Sequence, residues 1–299
     1  MSDFLQGKKG KPGLLRKLIA GRETIIAPGA YDALTARIME QAGFPAVYMT
    51  GFGTTASLLG RPDVGLLTMS EMVDNARRMA QAIDVPLIAD ADTGYGNPLN
   101  VIRTVQEYEL AGVSAVHIED QITPKKCGHM ENKQLVAASE MVEKIHAAIE
   151  ARTSTDFLII ARTDARAVEG LDSALRRARM YREAGADMLF VEAPESEREA
   201  AQVACELADT PLLFNFAEGG KTPPIPFDRL KELGYRIVIF PIGALLAATT
   251  AVRKLAEEIQ VHGTPTALLA EMISFKEFNQ MIGLSEIQQL ERRFLPKTE

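Results

Sequence analysis

One phrase recurs four times along this chain: a helix end, a glycine and a short apolar strand. It reads QAGFPAVYM, LAGVSAVHI, EAGADMLFV and ELGYRIVIF in order of occurrence. Each glycine stands where a helix C-cap needs a positive φ, and the residues after it are apolar without polar alternation. Strands of this kind are buried on both faces, as in a parallel sheet covered by helices on either side. The repeat therefore predicts an α/β fold built from strand–helix units.

Further apolar segments complete a set of eight predicted strands, separated by amphipathic segments. The strands are Ile25–Pro28, Ala46–Thr50, Leu87–Asp90, Ala115–Ile118, Phe157–Arg162, Met188–Glu192, Leu212–Asn215 and Ile237–Phe240. The predicted helices include Tyr31–Gln41, Ser70–Ala82, Asn100–Leu110, Ser139–Ala151, Asp172–Glu183 and Glu197–Leu207. Eight such units over about 250 residues predict a TIM-type (β/α)8 barrel. The alternative is an open doubly wound sheet, which is disfavoured because no Gly-x-Gly-x-x-Gly follows the first strand.

The C-terminal region is predicted to lie outside the barrel. We assign residues 1–262 to a barrel catalytic domain and residues 263–299 to a C-terminal helical extension, with helices over Ala267–Asn279 and Ser285–Phe294. Met272, Phe275 and Phe278 would be exposed on this extension. Such side chains need an apolar surface to cover, and we expect that surface on another subunit.

Composition and charge exclude several functional classes. The chain has 299 residues and a formal charge of −7, which gives no support for binding nucleic acid or an anionic membrane. Its two cysteines, Cys127 and Cys205, are too few for a disulfide framework, so a cytoplasmic location is predicted. The longest uncharged run lies between Arg236 and Arg253 and is too short for a membrane span. It predicts a buried strand that turns into a helix.

The predicted strands end in polar residues. In a barrel of this type, the chemistry takes place at the carboxyl ends of the strands. Carboxylates often serve only as helix caps or face solvent, and Asp120 and Asp164 fit that alternative. Successive ends that carry an acid or an arginine instead favour a chemical role. The ends are Tyr48-Met49-Thr50-Gly51, Asp90-Ala91-Asp92, Glu119-Asp120, Arg162-Thr163-Asp164, Glu192 and Asn215.

Two of these acids predict a metal site. Asp90 and Asp92 are two residues apart, so on a continuing strand both side chains would point to one face. With Glu119 on the neighbouring strand, these carboxylates repel one another unless a cation lies among them. Hard oxygen ligands with open positions suit Mg²⁺ or Mn²⁺. His117 is a weaker candidate ligand, because a single strand histidine is more often buried and hydrogen-bonded.

The segment after Glu119 carries the sequence Lys125-Lys126-Cys127-Gly128-His129. Adjacent positive charge favours the thiolate over the thiol. Cys127 is therefore a candidate proton donor or nucleophile. The alternative is an incidental cysteine on a surface loop, since a motif alone is weak evidence.

Together these residues resemble the isocitrate lyase / phosphoenolpyruvate mutase superfamily. The matching phrases are Tyr48-Met-Thr-Gly, Asp90-Ala-Asp-Thr-Gly-Tyr-Gly, His117-Ile-Glu-Asp-Gln, Lys125-Lys-Cys-Gly-His, Ala161-Arg-Thr-Asp, Val191-Glu-Ala and Asn215-Phe-Ala-Glu-Gly-Gly. The resemblance implies a Mg²⁺-dependent barrel, usually a homotetramer in which C-terminal helices are exchanged between neighbouring subunits. The Lys-Lys-Cys-Gly-His phrase implies the carbon–carbon lyase branch of this superfamily.

The resemblance also implies roles for individual residues. Asp90 and Asp92 would hold the metal, and Asp63 and Glu119 would contact its waters. Cys127 would reprotonate the product, with Lys125 and His129 beside it. Tyr48 is the predicted general base, and a tyrosine that only packs in the strand is the alternative. The predicted substrate-binding residues are Thr50, Gly51, Phe52, Gly128, Arg162, Glu192 and Asn215.

Two apolar residues suggest which substrate such an enzyme would take. Methylisocitrate lyases resemble this chain, but we expect them to have arginines where Leu246 and Phe275 stand. Apolar side chains would leave a third substrate carboxylate unpaired. The sequence therefore favours a dicarboxylate such as 2,3-dimethylmalate or another 2-alkylmalate, cleaved to pyruvate or a similar 2-oxo acid plus a carboxylic acid. The alternatives are cleavage of 2-methylisocitrate, hydrolysis of oxaloacetate on the same scaffold, and a binding protein without catalysis.

Overall fold

The computed structural model of the chain describes residues 12–21, 23–128 and 130–295. Eight parallel strands form one sheet in the order β6-β5-β4-β3-β2-β1-β8-β7. A parallel bridge between Leu189 and Leu212 links its two ends. The strands are β1 (Ile25–Ala30), β2 (Val47–Met49), β3 (Leu87–Asp90), β4 (Ala115–Glu119), β5 (Leu158–Thr163), β6 (Met188–Val191), β7 (Leu213–Asn215) and β8 (Ile237–Phe240). The prediction of a (β/α)8 barrel is confirmed.

Helices connect the strands. They are α1 (Pro12–Ala20), α2 (Ala33–Gln41), α3 (Gly51–Leu59), α4 (Met69–Ala82), α5 (Pro98–Leu110), α6 (Ala138–Ala151), α7 (Ala165–Glu169), α8 (Leu171–Glu183), α9 (Glu197–Glu206), α10 (Phe227–Leu233) and α11 (Gly243–His262). The uncharged run before Arg253 forms β8 and the start of α11, as predicted. The sequence did not predict α3, which begins next to the carboxyl end of β2 because the Thr50 side chain accepts a hydrogen bond from Gly53 N.

Alternate residues of the strands face two different cores. Val47, Met49 and Ile159 pack in the outer core together with residues of the helices. Ile88, Ile160 and other alternate residues pack in the inner core of the barrel. Both faces are apolar, so the strands show no polar alternation, although successive side chains point to opposite sides. The inner positions lead at their carboxyl ends to polar residues.

The chain divides into two compact units between Ala244 and Leu245, within α11. After α11 the second unit contains a 3₁₀ helix (Thr266–Glu271), α12 (Phe275–Met281) and α13 (Leu284–Phe294). The prediction of one helix over Ala267–Asn279 is wrong. Ser274 is extended there, and its side chain caps α12 by accepting a hydrogen bond from Glu277 N.

Side chains of the second unit are only partly as expected. Phe275 is 86% exposed and Met272 is exposed, as predicted, whereas Phe278 is half-buried. The predicted division at residue 262 stays a prediction. Within the described ranges, no helix combines the length and the hydrophobicity needed to cross a membrane.

Candidate active site

Side-chain alternation brings polar groups together inside the barrel. The inner face of β3 continues from Ile88 to Asp90, and that of β5 continues from Ile160 to Arg162. Every second residue of a strand points to the same side. The same rule carries further polar side chains to this end of the barrel: Tyr48, His117, Glu119, Glu192 and Asn215.

A cavity of about 230 Å³ lies at these strand ends. Ten of the predicted site residues line it: Thr50, Phe52, Asp63, Asp90, Lys125, Cys127, Gly128, Arg162, Glu192 and Asn215. Four others, Tyr48, Gly51, Asp92 and Glu119, lie next to residues of that wall without being part of it. His129 lies outside the described residues. Unpredicted residues complete the wall: Met130, Ala217, Glu218, Gly219, Gly220, Pro241 and Ile242.

Lys125 connects two of the predicted metal-site acids. Its Nζ atom lies 2.6 Å from Asp63 Oδ2 and 2.9 Å from Asp92 Oδ1, and all three side chains are buried. Burial is the largest cause that raises the pKa of Asp92, Lys125 opposes it, and Asp90 and Asp63 add to it, so that this pKa is about 7. Burial alone would lower the pKa of Lys125, but Asp92 and Asp63 hold it well above its usual value. Lys125 is therefore a protonated partner of these acids.

The expected arrangement of Asp90 and Asp92 on one strand face is wrong. β3 ends at Asp90, and Asp92 has a positive φ of 47°, so its side chain leaves the strand pattern. Asp92 lines a second cavity of about 340 Å³ rather than the one that contains Asp90. Its backbone N–H still donates to Asp90 Oδ1 at 2.9 Å. The two acids are therefore adjacent at the end of β3, and each lines a cavity that Lys125 also lines.

Arg162 is held by Asp164, two residues further along the chain, and by acids at the ends of the neighbouring strands β4 and β6. Asp164 Oδ2 accepts from its Nε atom at 2.9 Å, and Asp164 Oδ1 accepts from Nη2 at 3.2 Å. Glu119 Oε2 lies 3.3 Å and Glu192 Oε2 lies 3.9 Å from Nε. The guanidinium also stacks over Phe190, with 5.1 Å between Cζ and the ring centroid. Asp164 therefore fixes the plane of the arginine that faces the cavity.

The carboxylates of this region outnumber its cations. A buried excess of negative charge is costly unless a cation offsets it. Glu119 Oε1 is buried and accepts no hydrogen bond from any residue that the structure describes. These features fit a divalent cation. Asp120 is also buried but is paired separately with Arg177. Around the cavity, the other buried acids among the described residues are Asp63, Asp90, Asp92, Glu119, Asp164 and Glu192, and the buried cations paired with them are Lys125, Lys133 and Arg162.

The acids do not enclose a complete metal site by themselves. Over residues 12–21, 23–128 and 130–295, no three acid, histidine or cysteine side chains are grouped as metal ligands. Lys125 occupies the space between Asp63 and Asp92. Mg²⁺ commonly keeps several waters and uses only one or two protein carboxylates. The donor set therefore fits a largely hydrated Mg²⁺ better than a cage of protein ligands.

Two glycines allow the backbone to approach the charged groups. A Cβ atom added to Gly128 would lie 2.5 Å from Arg162 Nη2 and 2.6 Å from Glu192 Oε1. A Cβ atom added to Gly51 would collide with the carboxylate of Asp90. Since real Cβ contacts are longer than this, a side chain at either position would displace these charged groups or the backbone itself. Gly51 therefore brings the first turn of α3 against Asp90, although it is not part of the cavity wall.

Backbone hydrogen bonds hold the segment that carries Cys127. Cys127 N donates to Asp63 O at 3.2 Å. The Gln121 side chain donates to Lys126 O at 2.8 Å and accepts from Lys126 N at 3.0 Å. Adjacent positive charge was expected to favour the thiolate, but the charge of Lys125 is paired with Asp63 and Asp92. Cys127 itself is half-buried in the cavity wall.

Tyr48 and His117 form a buried pair below the cavity. The Tyr48 hydroxyl lies 2.8 Å from His117 Nε2, and neither side chain is exposed. Burial raises the pKa of Tyr48 well above its usual value, and Asp90 adds to the increase. Burial lowers the pKa of His117 to about 4, so this ring is neutral at pH 7. His117 is thus a buried hydrogen-bonded residue, and Tyr48 is a protonated phenol.

Two residues of this region were not singled out by sequence reasoning. Glu218 accepts from Ile242 N at 3.1 Å and Gly243 N at 2.8 Å, and so joins the β7 and β8 loops. It belongs to the phrase Asn215-Phe-Ala-Glu-Gly-Gly, which could have indicated it. Lys133 is buried against Asp164, and nothing in its local sequence distinguishes it from a surface lysine.

Comparison with known proteins identifies the family. A family model described as phosphoenolpyruvate phosphomutase matches residues 15–260. The 2,3-dimethylmalate lyase of Eubacterium barkeri is 47% identical over 94% of this chain and 96% of its own length. The 2-methylisocitrate lyase of Aeropyrum pernix is 44% identical over 97% of this chain and 93% of its own.

Solved structures agree with the sequence relatives. A crystal structure of 2,3-dimethylmalate lyase has a TM-score of 0.90 at 41% identity, covering 95% of each chain. Oxaloacetate acetylhydrolase with 3,3-difluorooxalacetate has a TM-score of 0.91 at 37% identity, covering 98% of this chain and 100% of the other. Phosphonopyruvate hydrolase with oxalate and Mg²⁺ has a TM-score of 0.88 at 33% identity, covering 96% and 100%.

The fold and the comparisons define an enzyme class first: a (β/α)8 barrel related to lyases that act on small carboxylates. The chain belongs to the PEP mutase/isocitrate lyase superfamily. The predictions of this superfamily and of the lyase class are confirmed.

Proposed function

We propose that this chain is a Mg²⁺-dependent carbon–carbon lyase that cleaves 2,3-dimethylmalate or a similar 2-alkylmalate to pyruvate and a carboxylic acid. One observation carries the proposal: Asp90, Arg162 and Cys127 line the same cavity. An acid beside a metal site, a cation for a carboxylate and a thiol for a carbon acid are the groups that this cleavage needs. The relatives named 2,3-dimethylmalate lyase support the same conclusion.

The metal role is proposed for the acids around Lys125. Asp90 and Asp92 would hold Mg²⁺, while Asp63 and Glu119 would contact its waters. When bound, Mg²⁺ would polarise the hydroxyl and oxo oxygens at the second carbon of the substrate. The negative charge of the cluster supports this role, and the Mg²⁺ in the related phosphonopyruvate hydrolase structure supports the choice of metal. Mn²⁺ has the same preference for oxygen ligands.

The chain's own residues perform the binding and the proton transfers. Arg162, fixed by Asp164, binds the substrate carboxylate and stabilises charge that develops during cleavage. The 2-hydroxyl loses its proton, the C2–C3 bond breaks and the electron pair passes to C3, forming an enediolate with the adjacent carboxylate. The Cys127 thiol then donates its proton to C3. The remaining predicted contacts, Thr50, Gly51, Phe52, Gly128 and Asn215, shape the substrate site.

We do not assign Tyr48 as the base that accepts the hydroxyl proton. A phenol with a raised pKa remains protonated, and Tyr48 already pairs with His117 below the cavity. A base must reach the substrate and be deprotonated at rest. Glu192 meets the first condition because its carboxylate lines the cavity beside Arg162.

The charges of the cavity wall favour a dicarboxylate. Of the wall residues that the structure describes, Lys125 and Arg162 are the cationic ones, and both are paired with acids. The wall also contains Phe52, Pro241 and Ile242, which suit methyl groups. A third carboxylate, as in 2-methylisocitrate, would lack a charged partner there.

Two alternative reactions have support from relatives. Cleavage of 2-methylisocitrate to pyruvate and succinate matches the activity in the name of the Aeropyrum pernix protein. Hydrolysis of oxaloacetate matches the oxaloacetate acetylhydrolase structure. Hydrolysis to oxalate and acetate also leaves an electron pair on the carbon released as acetate, so a carbon acid at Cys127 suits both reactions and the products distinguish them.

Product analysis tests the proposal. The full-length protein with Mg²⁺ is incubated separately with 2,3-dimethylmalate, 2-methylisocitrate and oxaloacetate, and the products are followed by proton NMR. We expect pyruvate and propionate from 2,3-dimethylmalate at the highest rate. Oxalate and acetate as the main enzymatic products would replace the lyase with the hydrolase, and no turnover of any of the three would contradict both.

We also propose that the protein is a cytoplasmic homotetramer in which the C-terminal extension is exchanged between subunits. The exposed apolar residues of the second unit, among them Phe275 and Ile273, support a covering partner. Light scattering coupled to gel filtration should give four times the 32.6 kDa chain mass. A monomer at micromolar concentration would contradict this assembly.

A further inference from the structure

Lys133 is a buried cation that the mechanism above does not use. Its side chain is 2% exposed, and its Nζ atom lies 2.7 Å from Asp164 Oδ1. The same Nζ donates to the carbonyl oxygen of Gly128. Lysine is almost never buried unless it is paired, so both contacts are structurally important.

The contact with Gly128 closes a short segment of chain. The side chain of Lys133 reaches back five residues to the carbonyl that directly follows Cys127. At this point, the backbone is so close to Arg162 and Glu192 that an added Cβ atom would displace one of these side-chain ends or the backbone. Lys133 therefore donates to the segment where the chain approaches the charged groups of the cavity.

The contact with Asp164 links that segment to Arg162. Asp164 Oδ1 accepts from both Lys133 and Arg162, while Oδ2 accepts from Arg162 Nε. Asp164 is itself fixed, because its backbone N–H donates to Asp120 Oδ1 at 2.9 Å. One rigid carboxylate thus holds the substrate-facing arginine and, through Lys133, the segment that carries Cys127.

We propose that Lys133 is a positioning residue for Cys127: it ties the Gly128 carbonyl to Asp164 and so keeps the thiol at a set place relative to Arg162. That this position serves proton donation to the substrate rests on the proposed function. A lysine that only neutralises Asp164 would affect stability and leave the exposure and reactivity of Cys127 unchanged.

The test measures the reactivity of Cys127 directly. In a Cys205→Ser background, Cys127 is the only thiol of the chain. Its second-order rate of alkylation by iodoacetamide is measured for this parent and for Lys133→Met and Lys133→Arg variants. Lys126→Met is the matched control, since Lys126 lies in the same segment but donates to Asn132 O at 3.0 Å.

We expect Lys133→Met to change the alkylation rate of Cys127 by about tenfold, because one charge-assisted hydrogen bond to the segment is lost. The rate should rise as the half-buried thiol is released. Lys133→Arg, which keeps charge and donors, should lie between the parent and Lys133→Met. Lys126→Met removes a positive charge beside the thiol but leaves the Lys133 contact with Gly128 in place, so it should not raise the rate.

A folded Lys133→Met variant that is alkylated at the parental rate would overturn the proposal. Circular dichroism establishes folding, and if this variant does not fold, Lys133→Gln is compared in the same way. The alkylation rate does not depend on turnover. If the parent shows no lyase activity, the proposed function fails while the positioning of Cys127 is still decided.

Discussion

Cys127 lies in the cavity wall, one residue before the glycine that contacts Arg162. Sequence alone indicated the cysteine, the acids at the strand ends and Arg162, because each stands at a predicted strand end or in a distinctive motif. It did not indicate that Asp92 turns away with a positive φ, because a single backbone angle follows from tertiary contacts. The sequence did not indicate the contact of Lys133 either, because its partner Asp164 is 31 residues away along the chain.

Replacing Cys127 tests the proposed carbon acid. Cys127→Ser keeps the size of the side chain, but a hydroxyl is a much weaker acid than a thiol. We expect kcat for 2,3-dimethylmalate to fall by about 10²- to 10⁴-fold, the usual contribution of general acid catalysis. Cys205→Ser, at an exposed position, is the control and should keep the parental rate. A Cys127→Ser enzyme within twofold of the parent would exclude the thiol as the proton donor.

Replacing Asp90 tests the metal site. Asp90→Asn removes one negative charge from a buried cluster that has an excess of acids, so the fold should survive. We expect Mg²⁺ binding by calorimetry and Mg²⁺-dependent turnover to be lost. Asp74→Asn is the control, because Asp74 forms a surface pair with Arg78 at 2.6 Å. Full activity of the parent enzyme in excess chelator would show that no metal is needed.

At the scale of elements, the apolar strands were predicted well and the connections less well. Each strand was located to within two residues at either end, since a buried parallel strand is a continuous apolar run bounded by glycine or polar residues. The helix α3 was missed, because GFGTTASLL starts with two glycines among its first three residues. The predicted helix over Ala267–Asn279 was too long, because the Ser274 cap was not recognised within it.

Gly128 allows a test of how closely the Cys127 segment must approach the barrel. Gly128→Ala would place a methyl group against Arg162 and Glu192, so either the segment or these two side-chain ends must move. We expect kcat/KM to fall by roughly tenfold or more, since small displacements of reacting groups are costly. Thermal unfolding should change little because the segment is a loop.

The control for this variant is Gly263→Ala. Its backbone has a positive φ of 68°, but the added Cβ would meet no atom within 4 Å. It should cost some stability and leave kcat/KM unchanged. Parental kcat/KM in Gly128→Ala would show that the close approach to Arg162 is not needed for turnover.

At the scale of the whole molecule, the barrel was predictable because the phrase of helix end, glycine and apolar strand occurs four times in the sequence. The substrate was less predictable, because it depends on the charges that the complete wall presents. Leu246 and Phe275 lie in the second compact unit, at positions where we expect arginine in methylisocitrate lyases. The proposal that they set specificity is based on sequence and on the paired state of Lys125 and Arg162.

An arginine pair at these positions should move the preference toward the tricarboxylate. Each missing charged hydrogen bond costs about 1.5–3 kcal/mol. Leu246→Arg combined with Phe275→Arg should therefore raise kcat/KM for 2-methylisocitrate relative to 2,3-dimethylmalate. Leu246→Lys with Phe275→Lys is a useful comparison, because lysine adds charge without the bidentate geometry of arginine. An unchanged ratio in the arginine variant would remove both positions from the account of specificity.

The most direct test is the ratio of kcat/KM for 2,3-dimethylmalate to that for 2-methylisocitrate, measured with the unmodified enzyme and Mg²⁺ by pyruvate formation. Two missing charged contacts predict a preference for 2,3-dimethylmalate of roughly two to four orders of magnitude. An equal or inverse ratio would contradict the assignment of a dicarboxylate substrate.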